Sequence, residues 1–469
     1  MSAAYGLDVR SARWTLVAMC LGVLMVQLDT SIVSLGLRAI QAGVGGSIAT
    51  LQWVTDGYNL AYASFILTGG TLGDLFGRRK LFLAGAGLFT AASVGCGLAP
   101  NAGALVAWRA LAGLGAALAL PGSLAILAVA YPDDRQRGQA VAIWASVNAL
   151  AIALGPTIGG FLVDTYGWRS IFLAIVPVGI AAVGLASRAV PESADPAGRQ
   201  LDAPGQVLAA TALALLALAA IEGHTLGWTT WPILASLVGA LASLAAFVVV
   251  EGRTPGALVP LDVFRQPAFT ASVVVAGLMT FGMYGLLFLV PQFLQTARGH
   301  SAIEAGVELA PLGLCFAAVS PAAGRLAAWS GPRRPIAAGM LLTGLGLLSF
   351  NLVSADSSYG LLLAALLALG LALGIETGPL MAVAVGSIPA ARAGMASGLV
   401  NCGRMVGASL GVAVLGSVFD AVAGGRTDAE AFASGLHVAL SVGGLSACLG
   451  GVLAWWLIDD RCWSGTQGG

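Results

Sequence analysis

Six ionisable side chains lie inside stretches that are otherwise apolar: the acids Asp29, Asp56, Glu308 and Glu376 and the cations Arg109 and Arg404. A charge at the middle of a membrane helix costs roughly 2.5–3.5 kcal/mol, so each of the six needs a partner or a task. A carboxyl group in such a place can take a proton from one side and release it to the other. Asp29 is the first choice for that role, about fifteen residues and ~22 Å into the first apolar run, past the midplane. The alternative is a structural, hydrogen-bonded Asp. Asp56, in Trp53-Val54-Thr55-Asp56-Gly57-Tyr58, lies about two turns from the outer end of the second run, where it either couples protons and binds substrate or only lines the entrance. Glu376 sits in Gly374-Ile375-Glu376-Thr377-Gly378-Pro379, whose glycines and proline free backbone carbonyls of the kind tolerated beside a cavity. It is assigned to proton or substrate binding, and Glu308 to substrate binding. Glu304, closer to the interface, is read as solvated. Arg109 either modulates the proton site or staples helices together, since a buried cation needs a carboxylate or carbonyls beside it. Acids at these positions suit a lipophilic cation, whereas Arg109 and Arg404 suit an anion or zwitterion, so the sign of a substrate stays open.

Aromatic side chains accompany these charges: Trp53, Tyr58 and Tyr62, then Trp144, then Phe281, Tyr284 and Phe288. Facing a cavity, each attracts a cation by roughly 0.5–2 kcal/mol; otherwise they pack. Tyr58, Tyr62, Trp144 and Tyr284 are taken as substrate contacts, together with Asn401. The six cysteines, at 20, 96, 315, 402, 448 and 462, contain no CxxC pair, and the three histidines are scattered. No metal site, cofactor or disulfide framework is expected. No phosphate-binding G-x-x-x-x-G-K-[ST] stretch occurs, which removes a nucleotide-driven pump, and no catalytic cluster suggests an enzyme.

The elements that hold these groups are membrane helices. Hydrophobic residues make up 58% of the chain and charged ones only 9%, mean hydropathy is +0.89, and a soluble domain has about 25% charged residues. Net charge is zero and gives no case for nucleic acid. A bilayer needs about 20 apolar residues per helix. Runs of that length occur at 14–37, 50–70, 81–99, 103–130, 138–163, 169–187, 204–221, 230–250, 268–294, 303–328, 334–353, 359–386, 394–419 and 434–458. The first is longer than a signal-peptide core and is read as a retained helix. These spans put Lys and Arg at 10, 13, 78–80, 135, 137, 188, 199, 253, 265, 325, 333, 334, 392 and 461 on one face, against Arg38, Arg169, Arg298 and Arg426 on the other. Both termini are therefore expected in the cytoplasm.

The densest charged punctuation is Gly69-Gly70-Thr71-Leu72-Gly73-Asp74-Leu75-Phe76-Gly77-Arg78-Arg79-Lys80. Asp74 and Arg78 stand at the helical i, i+4 spacing. Gly70, Asp74, Gly77, Arg78 and Arg79 are read as a conformational gate that docks in one state and parts in the other. The pattern recurs 254 residues later as Gly324, Leu326, Gly331, Arg333 and Arg334. Parallel repeats of this kind relate the halves of rocking transporters. They predict a six-helix bundle at 1–188, linkers with two inserted helices at 189–267, a second bundle at 268–460 and a short tail at 461–469.

These stretches together resemble the major facilitator superfamily, and within it the fourteen-helix drug:proton antiporter group. The turn is similar to the G-x-L-x-D-x-x-G-R-[RK] motif, with Leu75 at a position that is often basic. Arg109, Gly113 and Gly115 resemble R-x-x-x-G-x-G, with Ala112 in place of the usual Gln. Gly155-Pro156-Thr157-Ile158-Gly159-Gly160 resembles the G-P-x-x-G-G antiporter motif. Leu28-Asp29-Thr30-Ser31-Ile32-Val33 is similar to L-D-x-T-I-V, with Ser31 for Thr, and with Ser34 and Arg38 where Asn and Pro are common. Trp168-Arg169 and Ala396-Ser397-Gly398 with Asn401 and Arg404 extend the likeness, and methylenomycin and quaternary-ammonium efflux proteins are the nearest type. The resemblance implies an all-α fold of 14 transmembrane helices. It places helices 1, 2, 4, 5, 9, 10, 12 and 13 around a central cavity, with Gly155, Pro156, Gly159 and Gly160 sealing it. The implied function is proton-coupled export of a hydrophobic organic compound by alternating access in the cell membrane. Expected partners are that substrate, protons and the lipid bilayer, with no obligate protein partner. The rivals are a symporter importing a small organic solute and a non-transporting receptor or scaffold.

Overall fold

The computed structural model describes residues 9–196, 201–254, 257, 259–389, 392–424, 426 and 428–459. The expected tail at 461–469 and the arginines at 199 and 461 lie outside them. Lipid supplies no hydrogen bonds, so apolar runs of this length satisfy their backbone internally as helices. In chain order these are α1 (Val9–Val44), α2 (Ile48–Phe76), α3 (Arg78–Gly97), α4 (Ala102–Ala130), α5 (Asp134–Tyr166), α6 (broken into Arg169–Leu173 and Ile175–Ala189), α7 (Ala203–Leu226), α8 (Trp231–Glu251), α9 (Pro267–Thr296), α10 (Ala302–Ser330), α11 (Arg333–Leu348), α12 (Tyr359–Gly386), α13 (Ala393–Ala423) and α14 (Ala429–Leu457). No strand occurs among the described residues. Helix starts are capped by short polar side chains: Asn101, Asp133, Asp202, Ser301 and Asp428 each accept from the backbone N–H three residues on.

Thirteen spans among the described residues are long and apolar enough to cross a bilayer. The remaining helix, α2, is equally long but carries Gln52, Asp56 and Asn59, all buried against neighbouring helices. Its polar residues are possible because protein rather than lipid surrounds them.

The sequence repeat is also a packing repeat. In the first half α1 lies on α5 and α6, α2 on α4, and α3 on α4 and α6. In the second half α9 lies on α13 and α14, α10 on α12, and α11 on α12 and α14. Each contact recurs eight helices later. The halves meet along two seams, α5 with α10 and α2 with α13. The inserted pair is not wedged between them. It is a hairpin in which α7 rests on the α2–α13 seam and α8 packs chiefly on α7. Gln206 of α7 holds α2 there through Thr68 and through the Ser64 carbonyl at 2.8 Å.

The α2–α3 turn marks one face of the molecule, here called the basic face. Gly77 adopts φ +113°, and Gly331, its repeat counterpart, φ +78°. A Cβ at Gly77 would also lie 2.6 Å from the Glu192 carboxylate, which accepts from the backbone N–H of Arg79 at 3.1 Å. Conformation and space both demand glycine there. Gly77→Ala is expected to cost about 1–3 kcal/mol. Gly87→Ala, in the open on α3, should be neutral or stabilise by up to about 1 kcal/mol. Thermal unfolding of the two purified variants beside wild type checks the contrast.

Candidate functional site

Two of the six intramembrane charges find each other. Arg109 Nη1 on α4 lies 2.5 Å from Asp29 Oδ2 on α1, and each residue is only 1% exposed. Arg109 Nε donates to the Val54 carbonyl of α2 at 3.0 Å, and its guanidinium sits 4.6 Å over the Tyr58 ring. Three helices are thereby tied at one point. The approach requires Gly57 and Gly113. A Cβ at Gly57 would press on the Val106 carbonyl at 3.2 Å, and one at Gly113 would collide with the Tyr58 carbonyl. The glycine four residues after Arg109 therefore lets α4 come close enough for the cation to reach its carboxylate.

A cavity of about 1430 Å³ lies between the halves. Its walls come from α1 (Gln27, Thr30, Ser31), α2 (Tyr62, Ile66), α4 (Leu120, Pro121) and α5 (Trp144, Asn148). The other half contributes α9 (Met279, Thr280, Tyr284), α10 (Leu309, Gly313), α12 (Leu373, Thr377) and α13 (Asn401, Arg404, Met405). These are the eight helices that the family resemblance placed around a cavity. The mouth opens on the basic face, where Asp74, Arg78, Asp195, Asp262, Arg265 and Arg392 line it. A second void of about 20 Å³ touches Thr30, Ser34, Tyr58, Arg109 and Tyr284. It is roughly the size that holds one water, and it shares Thr30 and Tyr284 with the large cavity.

The opposite face is closed. A Cβ at Gly160 of α5 would collide with the Ala302 carbonyl of α10, and one at Gly306 with the Pro156 carbonyl. Cβ atoms at Gly155 and Gly159 would strike Ser31 and Ile32 of α1. The Gly155–Gly160 segment thus holds α5 in backbone contact with its own half on one side and the other half on the second. Polar bonds complete the seal. Asp164, at the end of α5, accepts from Ala302 N at 3.2 Å and Ile303 N at 2.8 Å, capping a helix of the other half. Gln52 donates to the Val412 and Ala413 carbonyls at 3.0 and 2.8 Å, in space left by Gly416. Gln295 donates to the Leu35 carbonyl at 3.1 Å.

At the basic face the turn residues fasten to their own half. Asp74 pairs with Arg78 at 2.8 Å, and its backbone carbonyl accepts from Asp195 N at 2.9 Å. Arg78 N donates to the Ser193 carbonyl at 2.8 Å, and Arg79 reaches the Ser187 carbonyl. Gly70 lines the cavity.

The remaining assigned residues fall elsewhere in this conformation. Asp56 is fully buried on α2 beside Asn59 and Ser409 of α13, with no well-formed hydrogen bond to either oxygen. Glu376 is fully buried between α11 and α12, where it accepts from Thr343 at 3.3 Å and covers Gly339. Glu308 stands 3.3 Å from His300 Nδ1. Tyr58 is in the core under Arg109, and Trp53 donates to Glu222 of α7 at 2.8 Å. Of the assigned substrate contacts, Tyr62, Trp144, Tyr284, Asn401 and Arg404 line the cavity. Sequence reasoning passed over Gln52, Asp164, Glu192 and Gln295. The available signal was polarity at or near helix ends; their partners, 138 to 361 residues away for Asp164 and the two glutamines, carry no pattern.

Residues 19–412 match the Major Facilitator Superfamily profile. The Multidrug resistance protein Stp of Mycobacterium tuberculosis is 38% identical over 412 residues, 88% of this chain and 76% of that protein. The Methylenomycin A resistance protein of Streptomyces coelicolor is 32% identical over 441 residues, covering 94% and 91%. The Tetracenomycin C resistance and export protein of Streptomyces glaucescens is 38% identical over 416 residues, covering 87% and 76%. A solved peptide transporter POT shares the fold with TM-score 0.70 at 16% identity, over 94% of this chain and 93% of that one.

Removing one partner of a buried pair strands the other. Asp29→Asn and Arg109→Gln are each expected to cost about 3–5 kcal/mol, and the double variant less than their sum, read as a double-mutant cycle in detergent unfolding. Asp164→Ala loses two hydrogen bonds to a charged acceptor that exist only while the far face is shut. At about 1.4 kcal/mol per tenfold, it should raise maleimide labelling of a cysteine placed at Thr157, from the far side, by about tenfold or more.

Proposed function

The chain belongs to the Major Facilitator Superfamily, and on that premise we propose that it is a proton-coupled antiporter exporting hydrophobic organic compounds by alternating access. One observation carries the reading: a cavity large enough for a drug-sized molecule is walled by both halves, open on the basic face and shut on the other. Sites of about 300–1,000 Å³ hold drug-sized ligands. Sixteen of the 22 Lys and Arg residues fall on the open face by the sequence-derived topology, which makes that face and both termini cytoplasmic. The cavity is thus in its loading state for a compound leaving the cell. The resistance and export roles carried in the names of the relatives point the same way.

In this cycle the units at 1–188 and 268–460 rock about the substrate, while the hairpin within 189–267 rides on the α2–α13 seam. Opening outward separates α5 from α10 and releases the Asp164 cap. On the cytoplasmic side, Asp74, Arg78 and Arg79 act as the gate, leaving their hold on residues 187–195 to meet the approaching half. Asp29 and Arg109 supply the coupling. A proton delivered from outside through the void beside Tyr58 neutralises Asp29, loosens Arg109 and so weakens the tie among α1, α2 and α4. Asp56 and Glu376 are the further acids that take part in proton traffic. The proton gradient supplies about 2.3 kcal/mol per charge per 100 mV, plus any pH difference.

Inside-out vesicles energised with an inward-acidic gradient and offered methylenomycin A, tetracenomycin C and ethidium test the reading. At least one compound is expected to accumulate, with proton efflux from the lumen, and a protonophore should abolish both. Asp29→Asn should leave binding but lose the dependence on the gradient. Accumulation in the opposite direction, moving with protons, would mean symport and overturn the proposal.

A further inference from the structure

Resting on the exporter reading, we infer that the substrate is an organic anion, an aromatic carboxylate or phenolate, whose charge is received by Arg404. Five acidic or basic side chains lie deep among the helices: Asp29, Asp56, Arg109, Glu376 and Arg404. Asp29 and Arg109 neutralise each other behind the cavity wall. Asp56 is enclosed beside α13, and Glu376 between α11 and α12. Arg404 alone of the five lines the large cavity. It stands about 16 Å along α13 from Ala393, at roughly 1.5 Å per residue, in a helix of 31 residues. Its Nε is buried without a hydrogen-bond partner, and no ion pair involves its side chain among the described residues.

The neighbours do not supply the missing charge. Tyr62 and Tyr284 are within electrostatic reach of Arg404. Thr280 donates to the backbone carbonyl of Arg404 at 2.6 Å and Asn401 Nδ2 to that of Ser397 at 3.0 Å, and neither of these neutral side chains carries a charge that offsets the guanidinium. Across the cavity the indole N–H of Trp144 is a second donor without a partner. At mid-depth the cavity therefore offers one fixed positive charge, spare donors and aromatic faces. The carboxylates that line it, Asp74, Asp195, Glu251 and Asp262, are all at its mouth, where Asp74 and Asp262 are paired with Arg78 and Arg392. A guanidinium held among apolar walls is best satisfied by a planar anion that accepts two parallel N–H bonds. A lipophilic cation would meet like charge there. Exchange of one anion outward for one proton inward carries two charges in the same electrical direction, so the membrane potential acts twice per cycle.

The test uses the full-length protein in lipid nanodiscs and three aromatic probes: 1-hydroxy-2-naphthoate, its methyl ester and the lipophilic cation tetraphenylphosphonium. Wild type is expected to bind the naphthoate at least tenfold more tightly than the other two. Arg404→Gln should weaken the naphthoate by about 10- to 100-fold, as expected for a charge-assisted bond, and change the ester less than about threefold. Arg404→Lys should recover part of the loss, and retained ester binding shows that the variants are folded. The inference falls if tetraphenylphosphonium binds wild type as tightly as the naphthoate, a result that needs no variant, or if Arg404→Gln weakens ester and anion alike. Proteoliposome flux separates the two readings. Uphill movement of the ester or phosphonium but not the naphthoate overturns the anion assignment and keeps the exporter. Movement of none of the three, and of none of methylenomycin A, tetracenomycin C and ethidium, overturns both.

Discussion

Hydrocarbon offers no hydrogen bonds and no screening, so each charge that this chain carries into the bilayer must be answered from within the protein. The Asp29–Arg109 pair is the deepest such answer, and much of the N-terminal half is arranged to permit it. Gly57 and Gly113 bring α2 and α4 together, the Val54 carbonyl takes the second guanidinium bond, and Tyr58 lies beneath. Replacement of both charges together by apolar residues of similar volume would satisfy packing at less cost in desolvation. In the cycle proposed above, that cost maintains a strut among α1, α2 and α4 that holds in one state and yields in another.

The same logic divides the two faces. At the closed face, closure rests on backbone contact through glycines and on bonds between side chains and carbonyls or helix starts of the other half. At the basic face, the turn residues hold their own half through Glu192, Ser187 and Ser193, and the mouth stays open. Packed interfaces with two discrete arrangements switch rather than deform. The inserted hairpin sits beside this machinery, on the α2–α13 seam, where it can follow either arrangement.

Arg404 stands apart because, among the described residues, no ion pair answers it and its Nε is buried without a partner. On the anion reading proposed above, its partner comes from the cavity it lines. The acids that a sequence reading groups with it are turned to other tasks, so the count of intramembrane charges and the charge of the binding surface are different quantities.

Periodic apolar length, glycine and proline punctuation and the asymmetry of Lys and Arg were enough to reveal a membrane protein of fourteen helices in two repeated halves. These are local signals, set by bilayer thickness and by what each residue type permits its own backbone. The motif residues were legible for the same reason: Gly77 is required by its own φ, and Asp74 and Arg78 by their spacing. What the chain order does not carry is which wall a side chain faces. Asp56 and Tyr62 lie six residues apart on α2, yet one is sealed beside α13 and the other lines the cavity. Glu376 is hidden while its neighbour Thr377 is displayed. The Asp164 cap and the Gln52 and Gln295 bonds join residues more than a hundred positions apart. Only tertiary packing decides such matters, because the helix rotations that set them are fixed by the close contacts of both halves at once.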